Sequence, residues 1–218
     1  MNIYATEKYF AYRKSWEKWY GITENTEWIW AGDERRHVGD YLAVYKAYAA
    51  KGLREECSKY TLAVYRLNKL VYTCEDIYSD AGTFFYFFFR GGEAFLMFRK
   101  DDLYGYTILN LDRAEEYNYF PDIERAGESF IIVDAQLWGD ILLLDGCFWG
   151  APYIRYLLDL KTHKTHRLTE RGVGEYGAVI EDGVLTLHFA EGEPKTERFS
   201  YRDLEKLLEK SRTCDLDL

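Results

Sequence analysis

Tight-turn residues separate short runs of β-branched and aromatic residues from Thr61 onward, and this spacing constrains the fold more than any other feature. Gly-Gly and Asp-Gly pairs supply the positive φ angles that two-residue hairpin turns require. Two such pairs lie between strand-like runs, at Gly91-Gly92 and at Asp182-Gly183. The sequence therefore predicts a mostly β fold in which antiparallel hairpins form a meander.

The strand-like runs also group into units of similar length. Units of up to four predicted strands lie at residues 83–120, 130–168 and 178–199, and the turn glycines Gly91, Gly139 and Gly183 are about 48 and 44 residues apart. This period resembles that of β-propeller blades, and residues 158–162 resemble the turn after the third strand of a propeller repeat. The resemblance implies propeller-like four-strand repeats, with a β-sandwich or an α+β fold as the alternative.

Two helices are predicted within this β background. Asp40 is a suitable N-cap for a helix near 40–51, and Gly52 is placed to end that helix. Ser200 is a suitable N-cap for a C-terminal helix near 201–210, where leucines recur at helical spacing.

The chain is predicted to fold as a single domain, residues 1–218. It contains only 3 prolines and has no Ser-, Gly- or Pro-rich stretch that would serve as a linker. Residues 7–20 fit a helical stripe and a strand alternation equally well. The sequence leaves open whether residues 1–60 join the same sheet as the rest.

The charge balance bears on the partners of the protein. The chain has 28 Lys and Arg against 37 Asp and Glu, a formal net charge of −9, and it has no basic cluster. Nucleic acids and anionic membranes attract basic surfaces, so neither is an expected partner. An acidic protein is expected to bind a protein with a basic surface, because opposite charges speed the encounter.

A cytoplasmic location is predicted. Glu7 and Lys8 interrupt the apolar run that a signal peptide needs, and no uncharged stretch approaches the length of a membrane span. The four cysteines are scattered without metal-ligand spacing, so free thiols are expected and no cofactor is predicted.

No metal site is predicted, although His163 and His166 form an H-x-x-H pair that is the best candidate for one. Zinc needs three or four converging ligands on rigid elements, whereas these histidines lie in a polar hairpin turn. Residues 172–177 match G-x-G-x-x-G, but a dinucleotide site needs a helix after the glycines and a strand is predicted there.

Two aspartates are the candidate catalytic residues. Asp134 and Asp145 lie at the outer ends of one predicted hairpin, and glycoside hydrolysis uses two facing carboxyl groups. Trp138, Trp149 and Tyr153 lie near them in the sequence and are the candidate platform for a sugar ring. The competing interpretation is that the aspartates accept hydrogen bonds from turn amides and that the aromatic residues fill the core.

The leading hypothesis for function is a non-enzymatic, acidic protein-interaction module, of which inhibitors and immunity-type proteins are examples. The sequence has no G-x-S-x-G, P-loop or H-E-x-x-H motif, and its 20 Tyr and 6 Trp suit a binding surface. The alternative is a carbohydrate-binding or glycoside-hydrolysing protein. A homodimer is a third expectation, because aromatic strand edges favour self-pairing.

Overall fold

A computed structural model describes residues 7–53, 57–79, 84–99, 106–119, 131–148, 151–168, 173–189, 195–209 and 212–213 of the chain. These residues are mostly β, in four antiparallel sheets accompanied by two short helices. The chain divides into two compact units, Met1–Tyr119 and Phe120–Leu218, which are called unit 1 and unit 2. The predicted mostly β fold is confirmed.

Unit 1 contains one helix and two sheets, each with its strands in sequence order. The helix is α1 (Glu7–Tyr20). Sheet 1 consists of β1 (Trp28–Val38), β2 (Tyr41–Ala50), β3 (Ser58–Arg66) and β4 (Lys69–Ser79). Sheet 2 consists of β5 (Phe85–Arg90), β6 (Glu93–Phe98), β7 (Tyr106–Asn110) and β8 (Glu115–Tyr119).

The prediction of a helix near 40–51 is wrong, because these residues form β2. Tyr41, Ala43 and Tyr45 alternate toward the core, and the strand pairs with both β1 and β3. Asp40, which resembles an N-cap, instead lies in the hairpin turn with Gly39. Pairing with the neighbouring strands β1 and β3 therefore outweighs the local helix signals.

The core of unit 1 lies between sheet 1 and sheet 2. Tyr45 of sheet 1 packs against the ring of Phe85 of sheet 2, with ring centroids 4.8 Å apart. The guanidinium of Arg36 lies over the same ring and donates a hydrogen bond of 2.8 Å to the backbone oxygen of Phe85. The inward face of sheet 1 is thus fixed, and its other face points away from this core.

Unit 2 contains the remaining two sheets and a C-terminal helix. Sheet 3 has the strand order β16-β12-β11-β10-β9 and sheet 4 the order β13-β14-β15. Their strands are β9 (Ile131–Trp138), β10 (Ile141–Phe148), β11 (Ala151–Asp159), β12 (Lys164–Arg167), β13 (Val173–Glu181), β14 (Val184–Phe189), β15 (Lys195–Ser200) and β16 (Arg212–Thr213).

The C-terminal helix near 201–210 is confirmed. A 3₁₀ turn (Tyr201–Asp203) leads into α2 (Leu204–Glu209). The Ser200 hydroxyl and backbone amide both bond the Asp203 carboxylate, at 2.7 and 3.2 Å. Leu207 packs with Trp138 and Leu157 in a core that joins the helix to both sheets of unit 2.

The turn after the third strand has the same geometry in sheets 2 and 3. Asn110 Oδ1 and Asp159 Oδ1 each accept hydrogen bonds from the backbone amides two and three residues further on. Ala114 and His163, four residues after these acceptors, both have a φ of 57°. No sheet closes into a barrel within the described ranges, and the propeller arrangement is not confirmed.

Candidate acidic cavity of unit 2

A small cavity opens between sheet 3 and sheet 4, within unit 2. Its volume is about 90 Å³. Sheet 3 contributes the polar side chains of Asp134, Gln136 and Asp145, whereas Ala178 and Val179 of β13 form the opposite wall. The cavity thus combines two carboxylates with an apolar wall.

Strand pairing brings the two candidate aspartates together. Asp134 of β9 lies directly opposite Asp145 of β10, and Asp145 lies directly opposite Arg155 of β11. Side chains that face each other across antiparallel strands have Cβ atoms about 5 Å apart. The three charged side chains therefore form one row across sheet 3.

The row lies on the face of sheet 3 that carries the core. Leu143 and Leu157 are two residues from Asp145 and Arg155 along their strands, and both belong to the core shared with sheet 4. Alternate residues of a strand share one face, so the charged row continues the core-facing side at the end of the apolar layer. This position explains why the cavity is partly closed.

Burial sets the electrostatics of the row. The Arg155 side chain is only 4% exposed, and its Nε lies 2.7 Å from Asp145 Oδ1. Burial raises the pKa of Asp145 to about 6; Arg155 acts in the opposite direction, and Asp134 adds to the rise. Asp134 is exposed, and its Oδ1 accepts a hydrogen bond from the backbone amide of Ala135. The row can therefore accept a cation or exchange a proton near pH 6.

The predicted aromatic platform is not assembled at this cavity. Trp138 is 3% exposed, its Nε1 donates a hydrogen bond of 2.8 Å to the backbone oxygen of Gly183, and its ring meets that of Tyr201 edge to face. Trp138 therefore packs in the core and offers no open face to a sugar. Trp149 and the side chain of Tyr153 lie outside the described residues.

The two candidate metal-binding histidines lie apart from this cavity. His163 is exposed in the turn between β11 and β12, and His166 lies on β12 opposite Leu157. Within the described ranges, no group of three or more His, Cys, Asp or Glu side chains is arranged to hold a metal ion. Cys57 and Cys74 are both buried.

Acidic charge is concentrated in the half of the chain that carries the cavity. Residues 120–218 have 19 acidic and 12 basic side chains, whereas residues 1–119 have 18 and 16. Composition gives only the average over the chain, so this asymmetry appears when each unit is counted separately. A basic ligand is therefore attracted more strongly to unit 2.

Exposed apolar side chains in unit 1 are a feature that sequence reasoning missed. Trp30 on β1, Leu67 in the β3–β4 turn and Phe89 on β5 are all more than half exposed. Strand alternation alone does not reveal which face of a sheet is covered.

In the part of the chain that the structure describes, no helix has the length and apolar character needed to cross a membrane.

No protein-family model, curated protein or solved structure matches this chain.

Proposed function

We propose that this protein is a non-enzymatic interaction module, of the inhibitor or immunity type, that binds a partner with a basic surface. The acidic cavity of unit 2 receives a Lys or Arg side chain of that partner. The observation that supports this proposal is the side-by-side placement of Asp134 and Asp145 in the lining of the cavity.

The size of the cavity favours a single side chain as its occupant. A volume of about 90 Å³ accommodates the end of one long side chain, whereas sites for drug-sized ligands span roughly 300–1,000 Å³. Leu143, Ala178 and Val179 supply apolar walls for the methylene groups of such a side chain. Small pockets that enclose one anchoring residue are typical hot spots of protein interfaces.

The charges of the row also favour a cation. Arg155 is already paired with Asp145, so the row of two carboxylates and one guanidinium keeps one negative charge in excess. An incoming ammonium or guanidinium balances that charge beside Asp134. The acidic excess of unit 2 steers a basic partner toward the site, and this steering weakens as salt is added.

Cationic amino-acid amides test the proposal directly. The probes are the methylamides of Nα-acetyl-lysine and Nα-acetyl-arginine, whose side chains keep their positive charge. They are expected to shift the backbone amide resonances of Ala135, Gln136 and Val179, whereas the uncharged Nα-acetyl-norleucine methylamide leaves these resonances in place. Asp134→Asn should weaken this binding severalfold, because it removes the exposed charge and keeps the shape of the side chain. Glu181→Gln, an exposed change on β13, is the matched control.

Two outcomes would count against the proposal. The first is that norleucine produces the same shifts as lysine, because the cavity would then select apolar chains. The second is that Asp134→Asn and Glu181→Gln weaken binding equally, which would mean that only the overall charge of unit 2 matters. Raising the salt concentration should weaken lysine binding in the wild type.

Glycoside hydrolysis is the second candidate function, and the pKa of Asp145 favours it. A carboxyl group with a pKa of about 6 beside a second carboxylate resembles the acid and nucleophile of a glycosidase. The small volume and the buried Trp138 count against a sugar in this cavity. Release of nitrophenol from aryl glycosides by the wild type, lost in Asp145→Asn, would establish hydrolysis, and no release would exclude it for those substrates.

The homodimer and the cytoplasmic location stay predictions. Light scattering over a range of protein concentrations decides the first, and fractionation of cells that express the protein decides the second.

A further inference from the structure

The outer face of sheet 1 in unit 1 carries a row of aromatic side chains. This face is the side of sheet 1 opposite its core, and strand pairing places Trp30 opposite Tyr48 and Tyr48 opposite Lys59. The core-facing residues of β2 are Tyr41 and Tyr45, so alternation directs Tyr48 to the other side. Trp30 is 62% exposed at the edge strand of the sheet.

A β-bulge lies directly beside Trp30. The pairing of β1 with β2 shifts register between Trp30 and Gly32, and Gly32 has a φ of 152°. A bulge inserts an extra residue, increases the local twist and redirects neighbouring side chains. The exposed indole therefore lies directly beside a backbone irregularity of the edge strand.

The aromatic row is supported from one side by a lysine. The ammonium of Lys59 lies 5.4 Å from the ring centroid of Trp28 and 5.9 Å from that of Tyr48. These cation–π contacts hold the ring of Tyr48 beside Trp30. The result is a preorganised aromatic surface with one indole left open to solvent.

The neighbouring row of the same face mixes opposite charges. Asp33 lies opposite Lys46, which lies opposite Thr61, and Arg35 Nε is 2.6 Å from Asp33 Oδ2. Two positions along a strand span about 7 Å, so the hydroxyls of a sugar ring stacked on the indole can reach this row. It presents a carboxylate acceptor, a hydroxyl and cationic donors side by side.

We propose that the outer face of sheet 1 binds a neutral saccharide, with one sugar ring stacked on Trp30 and its hydroxyls bonded by Asp33 and Lys46. A sugar ring has an apolar C–H face and a rim of hydroxyls, each of which both donates and accepts hydrogen bonds. The exposed indole of Trp30 can stack on the C–H face, and the row of mixed charges can bond the hydroxyls. This site lies in unit 1 and is independent of the acidic cavity.

The charges of the face argue against a nucleic acid or another polyanion as the occupant. Asp33 repels phosphate and engages Arg35, which weakens the attraction of that guanidinium for a phosphate. Lys59 lies over the aromatic rings of the row, so Lys46 is the main cation left to contact a polyanion. A purely apolar partner is disfavoured as well, because docking it would strip water from the charged row without replacing its hydrogen bonds. A neutral ligand rich in hydroxyls is not repelled by Asp33, and it replaces the hydrogen bonds that the charged row loses with its water.

Indole N–H resonances provide the test, because the chain has 6 Trp and each gives one signal. Neutral oligosaccharides of glucose, xylose and N-acetylglucosamine at millimolar concentration are added to the full-length protein. The resonance that disappears in Trp30→Ala is expected to shift, together with the amides of Asp33 and Lys46. Trp30→Ala should weaken binding about three- to tenfold, the loss expected for a stacked ring.

Trp19→Ala is the matched control, because Trp19 is also exposed but lies on α1. It is expected to leave saccharide affinity unchanged. The proposal is overturned if none of the oligosaccharides shifts the Trp30 indole, or if both variants weaken binding equally. A shift caused by oligothymidylate but by no saccharide would overturn it in favour of a nucleic acid.

Discussion

Two buried tyrosines of β2, Tyr41 and Tyr45, differ in the hydrogen bonding of their hydroxyl groups, and this difference can be tested by its effect on stability. Tyr45 is 2% exposed, and its hydroxyl has no hydrogen-bond partner in the part of the chain that the structure describes. Tyr41 lies four residues earlier on the same face, and its hydroxyl donates a hydrogen bond of 2.8 Å to Asp112 Oδ1. Burial raises the pKa of both, that of Tyr41 to about 12.

Replacing each tyrosine by phenylalanine is therefore expected to have opposite effects. A buried hydroxyl without a partner costs about 1–3 kcal/mol, and the small void left by its removal offsets part of the gain. Tyr45→Phe should raise the free energy of unfolding by about 1 kcal/mol. Tyr41→Phe should lower it by about 1–2 kcal/mol, because it removes a hydrogen bond to a carboxylate that is still partly solvated.

Urea unfolding followed by tryptophan fluorescence measures both changes on one scale, provided that the dependence on urea has the same slope in all variants. The difference between the two variants should be about 2 kcal/mol or more. A loss of stability in Tyr45→Phe as large as that in Tyr41→Phe would refute the reasoning. It would mean that an acceptor or a trapped water satisfies the Tyr45 hydroxyl.

Two further perturbations test unit 2. A Cβ at Gly139, where φ is +60°, would lie 2.5 Å from Tyr201 Cε2, so Gly139→Ala should lower the free energy of unfolding by about 2–4 kcal/mol in thermal unfolding. Gly183→Ala is the control, because Gly183 has a φ of +73° and no described atom within 4 Å of its Cβ position, and it should cost only about 1 kcal/mol. Equal losses in the two variants would contradict the clash with Tyr201. The raised pKa of Asp145 means that the folded state binds more protons than the unfolded chain between about pH 4 and pH 6. The unfolding free energy should therefore fall by at most about 3 kcal/mol as pH rises through this window, a fall that Asp145→Asn should abolish; an unchanged slope would contradict the assignment.

Local turn chemistry made the hairpins predictable. Gly91-Gly92 and Asp182-Gly183 adopt the positive φ angles that their sequence implies. Leu67 and Asn68 also have positive φ, at 47° and 66°, and form a two-residue turn between β3 and β4. A leucine rarely adopts this conformation, so the sequence indicates that turn only through Asn68.

Non-local pairing explains why β2 was not recognised as a strand. Its helix-like signals, Asp40 before it and Gly52 after it, act within a few residues. The strand forms because β1 and β3 both pair with it and because its alternate residues enter the core. The alternation is present in β2 itself, but the pairing depends on residues of β1 and β3, which the local helix signals do not reveal.

Half of the candidate cavity follows from the sequence by register. A two-residue turn at Gly139-Asp140 pairs Trp138 with Ile141, and stepping outward along both strands then pairs Asp134 with Asp145. The contributions of Arg155 and of the β13 wall depend on how later strands pair and pack. The exposure of Trp30 depends in the same way on which face of sheet 1 is covered.

The charged row of unit 2 departs from the pattern that builds the rest of the fold. Asp145 and Arg155 occupy core-facing positions, where alternation places Leu143 and Leu157 two residues away along the same strands. Asp134 extends this row onto β9, directly opposite Asp145. Apolar side chains at these positions would fill the cavity, and replacing buried charges by apolar side chains often stabilises a protein. Natural sequences break their local rules mainly at functional or strained sites, so this row of charges at one open cavity is where the proposed binding of a cationic side chain is to be tested.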